Sequence, residues 1–211
     1  MKTILCYGDS NTWGACPYTG NRYGLHIRWT GLLQSALGTD FRIIEAGLNG
    51  RTTIYSEPDD PYLNGRDMLI PTLRQAEPVD LLILMLGTND LKRHSAFDAT
   101  SGITQLVKMA KEQTNLFTKG KPQILVISPV TVEEPYFPLM ADPRGHCNHQ
   151  ESLKFAGLMQ YAARAQRVHF LDAATVAAPK AQPDGDGIHL DKEGHADLAK
   201  AILAEVQRIL G

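Results

Sequence analysis

The sequence predicts an α/β fold, a five-stranded parallel sheet with helices on both faces. Three observations predict it. Short strand-forming runs alternate with longer segments of helical period along the whole chain, the pattern of repeated strand–helix–strand crossovers. The run 79–86 (VDLLILML) is almost unbroken in apolar residues, as in a central strand buried on both faces. Four strand ends are followed by polar, glycine-bearing turns, which in such a sheet converge on one edge.

Residues 3–8 (TILCYG) are rich in strand formers and stop at a turn signal, giving the first strand. Over 28–37, Trp29, Leu32, Leu33, Ala36 and Leu37 recur at helical spacing and Gly38 supplies a stop. Residues 41–46 (FRIIEA) form the second strand. A helix is expected over 67–76, with Pro71 marking a kink or an early start. The third strand is 79–86. An amphipathic helix over 100–117 sets Ile103, Leu106, Val107 and Ala110 on one stripe. Residues 123–128 (QILVIS) and 167–171 (RVHFL) supply the last two strands, with helix over 149–166 between them. Asp191 is a good N-cap for a final helix that aligns Ala199, Ile202, Leu203, Val206 and Leu210. The loops 47–66 and 129–147 are rich in Pro, Gly and Asp and of a length that usually marks function or disorder. No repeat or linker divides the chain, so residues 1–211 are expected to form one domain.

A formal net charge of −2 and the lack of any basic block exclude a broad electrostatic grip on nucleic acid or anionic membrane. No run approaches the roughly 18 apolar residues of a membrane span. The short apolar stretch after Lys2 meets Gly8 and Asp9 as a strand does, not as a signal peptide. Cys6, Cys16 and Cys147 are too sparse, and odd in number, for a disulfide framework. A reducing, cytoplasmic location and a small-molecule partner are the expectations.

The chemistry gathers at the strand ends. After the first strand comes Gly8-Asp9-Ser10-Asn11, and after the second Gly47-Leu48-Asn49-Gly50-Arg51-Thr52-Thr53. The third ends in Gly87-Thr88-Asn89-Asp90, and beyond the fifth lies Asp184-Gly185-Asp186-Gly187-Ile188-His189. Ester cleavage needs a nucleophile, a base, a group that orients the base, and donors for the developing oxyanion. Ser10, on a turn after a strand, suits the nucleophile. His189 suits the base, since a neutral imidazole accepts the hydroxyl proton and returns it to the leaving group. Asp186, three residues earlier, can reach the other ring nitrogen within one turn and fix its tautomer. The oxyanion donors are then the backbone N–H groups of Ser10 and Gly50 and the side-chain amide of Asn89. Each piece alone has an ordinary reading as a turn or a cap; the ordered set at successive strand ends does not.

These four segments resemble the blocks of the SGNH (GDSL-type) hydrolases: Gly8-Asp9-Ser10, Gly50, Gly87-Thr88-Asn89-Asp90, and the closing Asp186-Gly187-Ile188-His189. The resemblance runs from Cys6 to about His195. It implies the flavodoxin-like three-layer α/β/α SGNH hydrolase fold and hydrolysis of esters through an acyl-enzyme, without metal or other cofactor. Arg28-Trp29-Thr30-Gly31, residues 47–53 and Leu63-Asn64-Gly65-Arg66 are similar to the bacterial arylesterase/acyltransferase branch, which also holds carbohydrate acetyl esterases. That likeness implies an intracellular homo-oligomer acting on short acyl esters (aryl, alkyl or acetylated-sugar), with acyl transfer as a side activity. Asp9, Asn11 and Trp13, flanking Ser10, are expected at the substrate. Asn11 stands where the motif has leucine and Ala15 where it has a bulky residue, which predicts a polar, open entrance.

Other residues leave alternatives. Trp13, Tyr18 and Tyr23 wall an acyl or aryl pocket or simply pack. His146, Cys147 and His149 lack a second ligand cluster, so loop surface or a subunit contact is preferred to metal. The apolar segment 135–140 covers the cleft or, preferably, meets a neighbouring subunit. His169 is expected as a satisfied core histidine and His195 as support or surface, while His26 and His94 line the cleft or face solvent. The rival class is a flavodoxin-like binding protein without catalysis. Asp9 would repel a phosphate at the first turn, and that reading leaves His189 unexplained.

Overall fold

In the computed structural model, residues 1–58, 60–112, 121–133, 148–181 and 183–211 are described. Five strands, β1 (Lys2–Gly8), β2 (Phe41–Gly47), β3 (Leu81–Met85), β4 (Gln123–Ser128) and β5 (His169–Asp172), form one parallel sheet in the order β2-β1-β3-β4-β5. The helices are α1 (Ser10–Trp13), α2 (Trp29–Leu37), α3 (Gly65–Ala76), α4 (Ala96–Glu112), α5 (Asn148–Ser152), α6 (Phe155–Gln166) and α7 (Lys192–Leu210).

Alternation along the strands builds two cores. On one face Ile4, Cys6, Leu81, Ile83, Leu125 and Ile127 pack with Trp29 and Leu33 of α2 and Leu198 and Ile202 of α7. On the other, Leu5, Tyr7, Leu82, Leu84 and Val126 meet Leu69 of α3, Ile103 and Leu106 of α4 and Phe155 of α6. β1 and β3 are buried on both sides, which explains their unbroken apolar runs.

Chain direction across the sheet reverses at β1: the chain steps outward to β2, then returns past β1 to β3. The crevice beyond the carboxyl ends of β1 and β3 is the switch point where open α/β sheets bind ligands. Register makes those ends level, with Gly8 opposite both Gly47 and Met85.

Boundaries differ from expectation in interpretable ways. The helix expected over 149–166 breaks into α5 and α6. The Ser152 hydroxyl donates to the His149 carbonyl and accepts the Val132 N–H, and the Lys154 N–H closes a tighter turn on the Glu151 carbonyl. Arg167 is not strand: at φ 52° it caps α6, its N–H bonding back into the last turn. α4 begins at Ala96, four residues before the expected start, because Ser95 and Asp98 cap its first turn reciprocally. Pro71 lies inside α3, on its exposed side, where water can satisfy the carbonyl that loses its partner. Residues 113–117 of the expected fourth helix fall outside the described residues.

Candidate active site

β1 stops at Gly8 and the chain turns at once into α1. Asp9 caps that turn, its Oδ1 accepting the Asn11 N–H at 3.0 Å while its carbonyl takes the N–H groups of Thr12 and Trp13. The turn lies directly over the end of β2. A Cβ on Gly47 would come within 2.2 Å of the Trp13 nitrogen, so glycine is required there. Trp29, fully buried, donates from its indole Nε1 to the Asn11 carbonyl at 3.1 Å and fixes α2 beneath the turn. Ser10 is thereby held on rigid elements at the edge of the crevice.

The segment before α7 brings the other groups. Asp186 Oδ1 accepts the N–H groups of Ile188 and His189 at 2.9 and 2.8 Å, which curls the backbone around the carboxylate. Its Oδ2 is 2.5 Å from His189 Nδ1, and His189 Nε2 is 2.8 Å from Ser10 Oγ. Burial alone would raise the Asp186 carboxyl; the hydrogen bond and charge of His189 and the two backbone N–H groups outweigh it and hold the group below its ordinary range.

The third wall comes from the loops after β2 and β3. Gly50, at φ 78°, turns its segment toward the crevice, and its N–H has no acceptor among the described residues. Asn89 Nδ2 donates to the Arg51 carbonyl at 3.1 Å, so one amide hydrogen braces the Gly50 loop and the other is available to a ligand. Ser10, Gly50, Asn89, Asp186 and His189 line one open cleft of about 310 Å³.

Three braces beneath this cleft had no assigned role in the sequence. Asp90 is fully desolvated and takes both the N–H and the hydroxyl of Thr53, the latter at 2.6 Å, pinning the Gly50 loop to the end of β3. Arg51 is buried, donates from Nη1 to the carbonyls of Gly8 and Ala46, and lies 4.1 Å over the Tyr7 ring. Burial pushes the Asp9 carboxyl up to about 6, against the Asn11 N–H and the charges of His189 and Arg51. Burial likewise takes Asp90 up to about 7, against the Thr53 bonds and with help from the charge on Asp9. The only hint in sequence was that Arg51, Thr53 and Asp90 sit within the blocks already singled out.

Asp9, Asn11 and Trp13 are the residues expected at the substrate. None of the three lines the cleft. Asp9 and Asn11 are buried behind Ser10, and Asn11 does not open the entrance: both ends of its amide bond the His189 loop. Trp13 packs its ring against the Arg22 guanidinium, and Tyr23 is buried edge-on to His195. Tyr18 is exposed. Ala15, in contrast, does line the cleft.

The remaining histidines sort as follows. His195 is fully buried, not surface; Nδ1 accepts the Trp29 N–H at 3.3 Å, and burial depresses its pKa to about 4. His169 is not a core residue, because β5 is an edge strand; its ring meets Gln123 and Arg208 in partial solvent. His94 stacks on Tyr55 and His26 is exposed. His149 Nδ1 is engaged by the Val132 carbonyl at 2.6 Å. His146, Cys147 and the apolar segment 135–140 lie outside the described residues. Among the described residues no group of three His, Cys, Asp or Glu is placed to hold a metal ion.

A hydroxyl, an imidazole and a carboxylate in line, beside N–H donors at a switch-point crevice, are the equipment of acyl transfer from esters. The fold and cleft thus define a carboxylic ester hydrolase of serine type. The chain belongs to the GDSL-like lipase/acylhydrolase family, whose pattern it matches over residues 6–196. It is similar to the aryl esterase of M. smegmatis at 35% identity, over 99% of this chain and 100% of that one, with a TM-score of 0.89. A carbohydrate acetylesterase family member from Sinorhizobium meliloti is 35% identical over the full length of both chains, with a TM-score of 0.88. A putative arylesterase from Agrobacterium tumefaciens is 34% identical over 99% of this chain and 100% of its own, at a TM-score of 0.85. No curated protein matches the chain.

Proposed function

We propose that Ser10 is the nucleophile of a short-chain acyl esterase, with His189 as general base and Asp186 as its orienting carboxylate. The observation that carries the reading is the unbroken relay from Ser10 Oγ to His189 Nε2 at 2.8 Å and from His189 Nδ1 to Asp186 at 2.5 Å. Ser10 Oγ attacks the ester carbonyl as its proton passes to Nε2. The oxyanion is received by the N–H groups of Ser10 and Gly50 and the Asn89 amide, where one donor typically contributes about 2.7–4 kcal/mol. His189 then protonates the departing alkoxide, and water repeats the cycle on the acyl-enzyme.

The likeness to an aryl esterase and to a carbohydrate acetylesterase family member favours aryl and acetylated-sugar esters within this class. The cleft, at about 310 Å³, suits a small acyl group. We further propose that residues 1–211 act as one catalytic domain and that the chain works as a cytoplasmic homo-oligomer. Unpaired Cys6 and Cys16 suit the compartment, and exposed Tyr62, Met68 and Phe97 are apolar surface that a subunit contact would cover. Among the described residues no helix is long and apolar enough to cross a membrane.

Treatment with a fluorophosphonate, followed by intact-mass analysis and peptide mapping, tests the nucleophile. One adduct on Ser10, and loss of both adduct and 4-nitrophenyl acetate turnover in Ser10→Ala, is the expected result. Turnover surviving in Ser10→Ala overturns it.

A further inference from the structure

The cleft wall carries a cation that the hydrolytic relay does not use. Lys92 ends the short 3₁₀ helix Asn89–Lys92, which starts at the residue assigned above to the oxyanion. Side chains three apart eclipse on a 3₁₀ turn, so Lys92 stands on the same side as Asn89, and both line the cleft with Ser10. The intervening residues go elsewhere. Asp90 turns inward to Thr53, and Leu91 is fully buried in the core.

The neighbouring charges are already committed. Arg93 pairs with Glu57 at 3.3 Å, outside the cleft. Among the described residues the one carboxylate lining the cleft, Asp186, spends Oδ1 on two backbone N–H groups and Oδ2 on His189. Among the described residues the Lys92 side chain makes no hydrogen bond or ion pair, although the residue is partly buried. A cation on a cleft wall with no partner of its own is placed to take an anionic group of a bound ligand.

From this we infer that Lys92 selects esters that carry a carboxylate, on the acyl or the alcohol side, over their neutral counterparts. The inference rests on the esterase reading above and narrows its substrate class to acidic esters. Lys92 touches the substrate away from the reacting carbonyl, so its contribution is to specificity and not to the bond-breaking step. The contact is partly open to solvent, which makes it sensitive to salt.

Two matched pairs test this. For the alcohol side, 4-acetoxybenzoate is compared with its methyl ester; for the acyl side, 4-nitrophenyl hemisuccinate with its methyl ester, reading phenol release in each. The quantity is the ratio of kcat/KM for the acid to that for the neutral ester, in the unmodified chain, Lys92→Met and Lys92→Arg. In at least one pair Lys92→Met should lower the ratio roughly fivefold, the upper range for a partly exposed ion pair, while Lys92→Arg keeps it. Salt gives a second measure without any variant: raising it should shrink that ratio in the unmodified chain. Ratios in both pairs that ignore salt and Lys92→Met overturn the inference while leaving the esterase intact. If the unmodified chain cleaves no ester of either pair, the Ser10 reading falls and takes the inference with it.

Discussion

Asn11 holds Leu190 in place: its Oδ1 accepts the Leu190 N–H at 3.0 Å, and its Nδ2 reaches the Ile188 carbonyl at 3.2 Å. The residue next to Ser10 therefore clamps both sides of His189, whose Nε2 faces the Ser10 hydroxyl. Asn11→Leu removes both bonds and strands two buried backbone groups, a loss of about 2–4 kcal/mol. Misplacement of His189 should also cost about 10²-fold in kcat. Thermal unfolding and turnover of 4-nitrophenyl acetate check the two effects; a variant matching the parent in both would refute the clamp.

Asp186→Asn is expected to fold, because an amide oxygen can still accept the N–H groups of Ile188 and His189. The NH₂ group would then face His189 Nδ1 and demand a lone pair there, moving the ring proton to Nε2. An Nε2–H cannot accept the Ser10 proton. A fall in kcat on the order of 10³–10⁴ follows, measured as single-turnover acylation to exclude effects on product release. Acylation at the parental rate would remove Asp186 from the relay.

His195 makes stability depend on pH with a definite sign. Its folded pKa, about 4, lies below its ordinary 6.5, so the neutral ring is favoured in the fold. The contribution is complete above pH 6.5 and is lost as pH falls toward 4, up to about 3 kcal/mol. Asp9 and Asp90, raised to about 6 and 7, act oppositely, stabilising as pH falls through those values. Subtracting the His195→Asn curve from the parental one cancels both carboxyl effects. Urea titrations across pH 7 to 4 should show the difference shrinking on acidification; a difference constant with pH counts against a buried neutral His195.

Thr53→Val tests the brace under the Gly50 loop. The change is close in shape but deletes the hydroxyl bonded to Asp90 at 2.6 Å, leaving that carboxylate two bonds from one N–H. A loss of about 1.5–3 kcal/mol is expected for a hydrogen bond to a charged buried group, together with lower kcat as the Gly50 N–H drifts. Urea midpoints and kcat report the two. An unchanged midpoint would mean that Asp90 is already protonated and indifferent to the hydroxyl.

Periodicity revealed the strands and most helices because the sheet is buried on both faces: every central strand must be apolar throughout, and every helix needs one apolar stripe. The break between α5 and α6 was illegible, since it depends on Ser152 bonding to Val132, far away in sequence. The edge position of β5 was equally hidden. RVHFL reads the same in the middle of a sheet as at its margin, and only the strand order leaves His169 at the solvent side.

By itself the sequence determined the fold class and the five residues that meet in the cleft, Ser10, Gly50, Asn89, Asp186 and His189. It did so because short-range chemistry fixes where strands end and which reactive side chains follow them. Tertiary structure decided what stands behind those five. Along the chain Asp9 and Asn11 are expected at the substrate and Arg51 and Asp90 have no role of their own, yet the level strand ends at Gly8, Gly47 and Met85 stack their loops and bury all four. A buried polar group must find a partner, and for Asn11, Asp90 and Arg51 partners lie tens to nearly two hundred residues away, as Leu190, Thr53 and Gly8 do. Such distances leave no local trace for a sequence reading to follow.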